Sequence, residues 1–283
     1  MEERRVRRWL VTLVRAALDE DIGQGDITTN ATIPEKVRCE ATLLAKQNGV
    51  LSGILAFRAV FDCLDAEITD YHALADGHRF AKGDIIARFQ GYTRAVLMGE
   101  RVALNFLQHL SGIATTTARY VAAVEGLNVR LCDTRKTTPL LRQLEKQAVV
   151  HGGASNHRYA LFDGVLIKEN HIVGAGGIAK AVQGAERVTH HLMKIGVEVT
   201  NLDELEQAIE AGADAVLLDN MGIDEMRQAV ERVRGLDVIL EASGNITLER
   251  LRDVAATGVH VVSVGALTHS APAVDISLEI ANV

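Results

Sequence analysis

Three segments carry most of the chemistry-bearing side chains: Asp133-Thr-Arg-Lys-Thr-Thr-Pro139, Asn156-His-Arg158 and Leu166-Ile-Lys-Glu-Asn-His171. Between Asp133 and His171 the chain places Arg135, Lys136, Arg142, Lys146, Arg158 and Lys168 against Asp133, Glu145, Asp163 and Glu169, with His151, His157 and His171 among them. The whole chain has a formal net charge of −7. Concentrated positive charge in an acidic protein points to a small polyanionic ligand, because a nucleic-acid binder is usually basic overall. Planar guanidinium groups suit bidentate carboxylate or phosphate binding.

Other chemistries fit less well. No Gly-x-Ser-x-Gly elbow supports a serine nucleophile, and no Walker loop is present. Asp163, His157 and His171 lack the spacing of a metal site. A Schiff-base lysine at Lys168 or Lys136 is the serious competitor. The excess of arginines weighs against it, since it implies more negative charge than one keto acid carries.

The elements that must position these residues follow from composition and periodicity. The 283 residues are 48% hydrophobic and only 4% aromatic, with 3 prolines, so an aliphatic core of parallel strands covered by helices is expected. Cys39, Cys63 and Cys132 share no close spacing, which favours a reducing, cytoplasmic setting over a disulfide framework. The basic N-terminus, Met1 to Arg8, resembles a signal n-region. However, Leu10, Leu13, Val14 and Leu18 recur at helical spacing, and the run is broken by Arg15, so a soluble amphipathic helix is expected. No run approaches membrane-spanning length.

Residues 1–100 read as a small α+β domain with an antiparallel sheet. Alternating stretches lie at Cys39–Ala45, Asp84–Phe89 and Tyr92–Val96, punctuated by glycines. Asp26-Ile-Thr-Thr29 reads as a structural segment. Residues 101–271 read differently. A helix over Met98–Glu125 leads to strand cores at Val129–Cys132, Gly164–Ile167, Ile195–Val199, Ala215–Leu218, Val238–Leu240 and Val259–Val264, with helices between the later ones. The helix starting at Thr200-Asn-Leu-Asp-Glu-Leu has a capping-box arrangement and Gly212 at its end. Repeated βαβ units without a dinucleotide glycine fingerprint favour an α/β barrel, with an open doubly wound sheet as the alternative.

In such a barrel the reactive rim is built from the carboxyl ends of the strands. There the sequence places Arg135 and Lys136, Lys168, Glu198, Asp219, Ser243-Gly244 and Gly265-Ala266. The late glycines sit where barrels commonly hold a phosphate. Each has a plainer reading. Lys168 alone suits a solvated loop, Asp219-Asn220 a helix cap at even odds, Ser243-Gly244-Asn245 a turn, and His157 a paired structural histidine. Glu198 is harder to dismiss, since a charge inside an apolar strand is seldom buried without a partner. Their coincidence at strand ends favours a site.

These residues resemble the quinolinate phosphoribosyltransferase family, the decarboxylating nicotinate-nucleotide pyrophosphorylases. The matching text is Asp133–Pro139, Glu145-Lys146, Gly152-Gly153, Asn156–Arg158, Leu166–His171, Glu198-Val199, Leu218–Met221, Glu241–Asn245 and Ser263–Leu267. Glu20–Thr29 and Glu100–Leu107 also match. Two departures are Ala154-Ser155 for a usual third glycine, and Leu140 where glycine often follows Thr-Pro.

The resemblance implies an N-terminal α+β sandwich domain (1–100), a C-terminal incomplete α/β barrel (101–271), and a tail (272–283) returning to the first domain. It also implies that Arg135, His157, Arg158 and Lys168 surround quinolinate, aided by Arg101 from the neighbouring subunit of a homodimer with a shared site. Assembly into a hexamer is compatible with it. By the same resemblance, Lys136, Glu198 and Asp219 serve the catalytic ribosyl and pyrophosphate centre, with Mg²⁺ held mainly by the substrate pyrophosphate alongside Glu198 and Asp219. Ser243, Gly244, Gly265 and His269 take the 5′-phosphate of phosphoribosyl pyrophosphate. The expected activity is phosphoribosyl transfer to quinolinate with decarboxylation, giving nicotinate mononucleotide in de novo NAD biosynthesis. A molybdate-transport-associated paralogue of the same fold is the alternative, and Lys168 within Ile-Lys-Glu-Asn-His weighs against it. No nucleic-acid or membrane partner is expected.

Overall fold

The computed structural model describes residues 2–283. Met1 and the side chains of residues 2–7, on which the signal-region comparison partly rests, lie outside the described set. The chain divides into two compact units. One comprises Met1–Thr116, Pro139–Gly153 and Ala271–Val283, and the other Thr117–Thr138 and Ala154–Ser270.

The first unit opens with α1 (Glu2–Ile22), whose Leu10, Val14 and Leu18 are buried at four-residue spacing, the apolar stripe of an amphipathic helix. Asp26 caps the short α2 (Ile27–Thr32): its carboxylate accepts the Thr29 amide at 2.9 Å and the Thr29 hydroxyl at 2.5 Å. Those bonds, the hydroxyl first, hold the Asp26 carboxyl below its ordinary range. Asp26-Ile-Thr-Thr29 is thus a capping device. After β1 (Arg38–Ala45) and β2 (Gly49–Val50) come α3 (Ile54–Cys63), β3 (Thr69–Ala73), β4 (Arg79–Phe80) and β5 (Ile85–Tyr92). The strand β12 (Ile276–Asn282), from the far end of the chain, completes an antiparallel sheet of order β12-β1-β5-β3. Alternate residues of β1 are buried, the period-2 pattern of a half-covered strand.

Aromatic residues are scarce but not scattered, which departs from a purely aliphatic core. Phe57 and Phe61 of α3 meet Phe89 of β5 with ring centroids 6.1 and 5.2 Å apart, and Tyr71 of β3 joins Phe89 at 6.1 Å. The expected strand over Tyr92–Val96 is not formed. Only Tyr92 belongs to β5, and α4 (Thr93–Ala123) starts immediately after it. The buried stripe Val96, Ala103, Leu107, Leu110 and Ala114 explains this, because the apolar residues recur at helical rather than alternating spacing. Helix α5 (Arg142–His151) also belongs to this unit, and its fully buried Glu145 accepts from His109 Nε2 of α4 at 2.8 Å. Leu140, where the resembling family often has glycine, lies in the left-handed region at φ 66°. A branched residue there carries backbone strain that glycine would not.

The second unit is a parallel sheet of order β6-β11-β10-β9-β8-β7. Its strands are β6 (Arg130–Cys132), β7 (Val165–Ile167), β8 (Ile195–Val199), β9 (Ala215–Asp219), β10 (Ile239–Ser243) and β11 (Val261–Ser263). The intervening helices are α6 (Glu169–Ala175), α7 (Ile178–Glu186), α8 (Leu202–Glu210), α9 (Ile223–Arg232) and α10 (Leu248–Ala255), with α11 (Ala266–His269) after β11. Strands β7 to β11 neighbour one another in chain order, and β11 then returns to pair with β6. A doubly wound sheet would reverse direction at a switch point. This sheet instead curls back on its first strand and is open only at the β6/β7 seam among the described residues, which makes it an incomplete barrel. Helix α8 forms where its capping sequence requires. Asn201 accepts the Glu204 amide at 2.9 Å, Glu204 accepts the Thr200 amide at 2.8 Å, and Gly212 follows at φ 89°.

Candidate functional site

One end of the barrel opens as a cavity of about 710 Å³. Its wall is laid down strand by strand. From the end of β6 come Thr134, Arg135 and Lys136, and from the segment before β7 come His157 and Arg158. Lys168 comes from the end of β7, Glu198 from β8, Asp219 and Asn220 from the end of β9, and Glu241 with Ser243, Gly244 and Asn245 from β10. Ser263 ends β11, and Gly265 and His269 follow it. Of the residues singled out from the sequence, eleven therefore share this cavity: Arg135, Lys136, His157, Arg158, Lys168, Glu198, Asp219, Ser243, Gly244, Gly265 and His269. Arg101 does not. It lies at an exposed position on α4, in the first unit.

The half of the cavity richer in basic side chains is built on β6 and β7. Beyond Cys132 the chain pairs with the loop that carries His157: the Ser155 amide donates to Leu131 O at 2.9 Å and the Asp133 amide to Ser155 O at 3.2 Å. This pairing uses only the backbone of Ser155, so the departure from glycine leaves it intact. The wholly buried Asp133 accepts the His157 amide at 2.8 Å. Arg158 donates from Nη1 to Gly164 O at 2.7 Å. Burial, and then the neighbouring Arg135 guanidinium, lowers the proton affinity of Arg158, with Asp163 opposing them. Two partly buried guanidinium groups that repel each other are best relieved by an anion carrying more than one negative charge. The turn that follows is tied by Asp163, which accepts the Tyr159 amide at 2.6 Å and the Ala160 amide at 2.7 Å. Burial raises the pKa of Asp163, but these amides outweigh it and hold the carboxyl below its usual range.

Lys168 precedes α6, and its amide is capped by His171 Nδ1 at 3.0 Å. Its ammonium group forms an ion pair with Glu198 of the adjacent strand. Asp219 is not a helix cap: the cap of α9 is Gly222, whose amide is taken by Glu225 at 2.8 Å. Asp219 instead receives Asn220 Nδ2 at 3.1 Å, and Asn245 Nδ2 donates to Asn220 Oδ1 at 2.9 Å. Nor do Ser243-Gly244-Asn245 cap α10, because Thr247 does. These residues line the cavity, and Gly244 takes φ 88° there. At Gly265 a Cβ would lie 3.1 Å from Lys136 Cδ and 3.2 Å from the His269 ring, so glycine permits a close approach of backbone and cation.

Sequence reasoning missed Glu241. The signal was the one that singled out Glu198: an acid inside an apolar strand, here Ile239-Leu240-Glu241-Ala242. Its Oε2 lies 3.3 Å from His157 Nε2. Asn220 and Asn245 also bear on the site, through a contact between loops that spacing along the chain does not reveal.

The fold and cavity define an incomplete α/β-barrel protein whose strand ends gather basic side chains and carboxylates around one cavity. Family patterns described as the N-terminal and C-terminal domains of quinolinate phosphoribosyl transferase match residues 26–111 and 113–279. The chain is 42% identical over 261 residues to a probable nicotinate-nucleotide pyrophosphorylase (carboxylating) from Bacillus subtilis, covering 92% of this chain and 90% of that one. It is 41% identical to the protein of the same description from Methanocaldococcus jannaschii, covering 97% and 98%. The solved nicotinate-nucleotide pyrophosphorylase of Francisella tularensis superposes with a TM-score of 0.90 at 41% identity, covering 97% of each chain. The chain belongs to the quinolinate phosphoribosyltransferase family.

Proposed function

We infer that this chain transfers the phosphoribosyl group of phosphoribosyl pyrophosphate to the ring nitrogen of quinolinate, with loss of the 2-carboxylate as CO₂. The products are nicotinate mononucleotide and pyrophosphate, a step of de novo NAD biosynthesis. The observation that carries this reading is the single cavity in which Arg135, Arg158 and Lys168 gather opposite Glu198 and Asp219. Two anionic substrates meeting in one pocket need such a surplus of cations, and a developing ribosyl cation needs the carboxylates. Of the alternatives, neither the molybdate-associated paralogue nor the Schiff-base lyase is favoured, since Lys168 is engaged in an ion pair and the relatives share the description nicotinate-nucleotide pyrophosphorylase.

In the proposed mechanism Arg135, His157, Arg158 and Lys168 hold the two quinolinate carboxylates, with Arg101 supplied by a second subunit of a homodimer. Ser243, Gly244, Gly265 and His269 hold the 5′-phosphate. As the C1–pyrophosphate bond breaks, Glu198 and Asp219 stabilise positive charge on the ribose, while Lys136 attends the departing pyrophosphate. The pyridine nitrogen then bonds to C1. The ring becomes cationic, so the electron pair left at C2 by departing CO₂ lies beside N⁺ until a proton replaces the lost carboxyl.

Among the described residues no cluster of three or more His, Cys, Asp or Glu side chains forms a protein-made metal cage. Glu198 and Asp219 nevertheless offer the hard oxygen donors that fit a Mg²⁺ held chiefly by substrate phosphates. Bound there, the ion would neutralise charge on the pyrophosphate. No described helix is long and apolar enough to cross a membrane. Cys39, Cys63 and Cys132 form no disulfide among the described residues, which suits a reducing cytoplasm. Release of labelled CO₂ from quinolinate labelled in its 2-carboxylate tests the function directly: it must require phosphoribosyl pyrophosphate, and release without it would refute the reading.

A further inference from the structure

Glu198 of β8 and Glu241 of β10 are both registered opposite Leu217 of β9. They form one layer across three adjacent strands on the cavity side, and each acid has a different basic partner. Glu198 takes Lys168, whereas Glu241 Oε2 lies 3.3 Å from His157 Nε2. Glu241 Oε1 is buried and accepts from no protein group among the described residues.

The His157 ring is fixed at Nδ1 and only loosely approached at Nε2. Its Nδ1 accepts the Arg158 amide at 2.8 Å, so the proton of the neutral ring is on Nε2, the nitrogen that faces Glu241. Its own amide is tied to the buried Asp133 at 2.8 Å. The loose element of this arrangement is the 3.3 Å contact, longer than an ordinary N–H···O bond. A shorter, charge-assisted bond to a ligand carboxylate can therefore share or replace it without moving the backbone.

We propose that Glu241 is a positioning residue for quinolinate: by accepting from His157 Nε2–H it fixes the ring so that this one donor faces the dicarboxylate subsite. Arg135, Arg158 and Lys168 neutralise the substrate, and His157 orients it through a directional bond that Glu241 presets. The proposal takes its substrate from the transfer reading above and acts only through His157.

A double-mutant cycle tests it on the full-length enzyme. Glu241→Met removes the acceptor at similar volume. It should lower kcat/KM for quinolinate roughly tenfold, the size of one charge-assisted hydrogen bond, while leaving KM for phosphoribosyl pyrophosphate within about twofold. Glu241→Gln keeps an acceptor and should stay within about threefold of the parent. In a His157→Ala background, Glu241→Met should add nothing. Additive losses in the cycle, or a rise confined to KM for phosphoribosyl pyrophosphate, would overturn the proposal. A second readout does not depend on turnover. The protected Nε2–H proton resonance of His157, assigned by its absence in His157→Asn, should persist in Glu241→Gln and vanish in Glu241→Met; persistence in Glu241→Met refutes the positioning role. An inactive parent enzyme that shows this resonance pattern would instead refute the transfer reading alone.

Discussion

Gly244 and Asn220 approach so closely that a Cβ on Gly244 would lie 2.4 Å from Asn220 Oδ1. Asn220 itself sits in the left-handed region at φ 57°, and its amide donates to Ser243 O at 2.9 Å. The loops after β9 and β10 are thereby clamped together, and Asn220 Nδ2 is directed at the Asp219 carboxylate. Gly244→Ala must push Asn220 away and also strain a φ of 88°. We expect it to lower kcat/KM for phosphoribosyl pyrophosphate by about 1.5–3 kcal/mol, roughly ten- to a hundredfold, with less effect on KM for quinolinate. Steady-state kinetics with each substrate varied in turn decides this, and an unchanged enzyme would show that the clamp does not matter.

Arg135→Ala and Lys168→Ala should each reduce catalytic efficiency by roughly a hundredfold or more, about 3 kcal/mol. For Lys168 the cause is twofold: a cation for the substrate is lost, and Glu198 is left in the cavity without its ion-pair partner. Near-parental activity in both variants would remove these residues from the site.

Arg101 is not among the residues that line the cavity. If Arg101 of the partner subunit completes the site, Arg101→Ala and Lys168→Ala proteins should each be nearly inactive alone but regain partial activity when mixed under conditions of subunit exchange. An inert mixture, with exchange verified by mass spectrometry of tagged subunits, would dismiss the shared site.

The titration of Tyr71, in the first unit, bears on stability at alkaline pH. Burial pushes its hydroxyl up to about 12 from 10.0, with Arg58 opposing, and its Oη has no hydrogen-bond partner among the described residues. A folded-state pKa above the unfolded one means that stability is fully present below pH 10 and is lost as pH rises through 12. Tyr71→Phe should abolish that part of the alkaline loss and, having no bond to forfeit, should be neutral or slightly stabilising at pH 7. Unfolding midpoints measured from pH 7 to 11.5 check both statements. A clear drop in stability at pH 7 would reveal a hydroxyl contact of real worth.

Much of the barrel was legible because its strands announce themselves locally. Ile195-Gly-Val-Glu-Val and Ala215-Val-Leu-Leu are apolar runs of strand length, and the residues just beyond them had to fall at strand ends. The start of the helix at Thr93 is hidden in the sequence because Tyr92–Val96 is short enough to satisfy both periods. Asp219 was balanced between cap and site, since Asp-Asn before a helix suits either. The cap at Gly222 resolved it. Glu241 carries the same sequence signal as Glu198, an acid within an apolar strand.

The sequence by itself determined which residues are strand cores, which positions follow them, and that the cations between Asp133 and Lys168 outnumber the acids there. These are local properties, written in composition and in periods of two and 3.6 residues. Only the tertiary structure decided which acid faces which base. Lys168 and Glu198 are 30 residues apart in the chain, and Glu241 reaches a histidine that precedes it by three strands. Such pairings depend on strand register and on β11 returning to β6, and register is set by closing the whole sheet around its core.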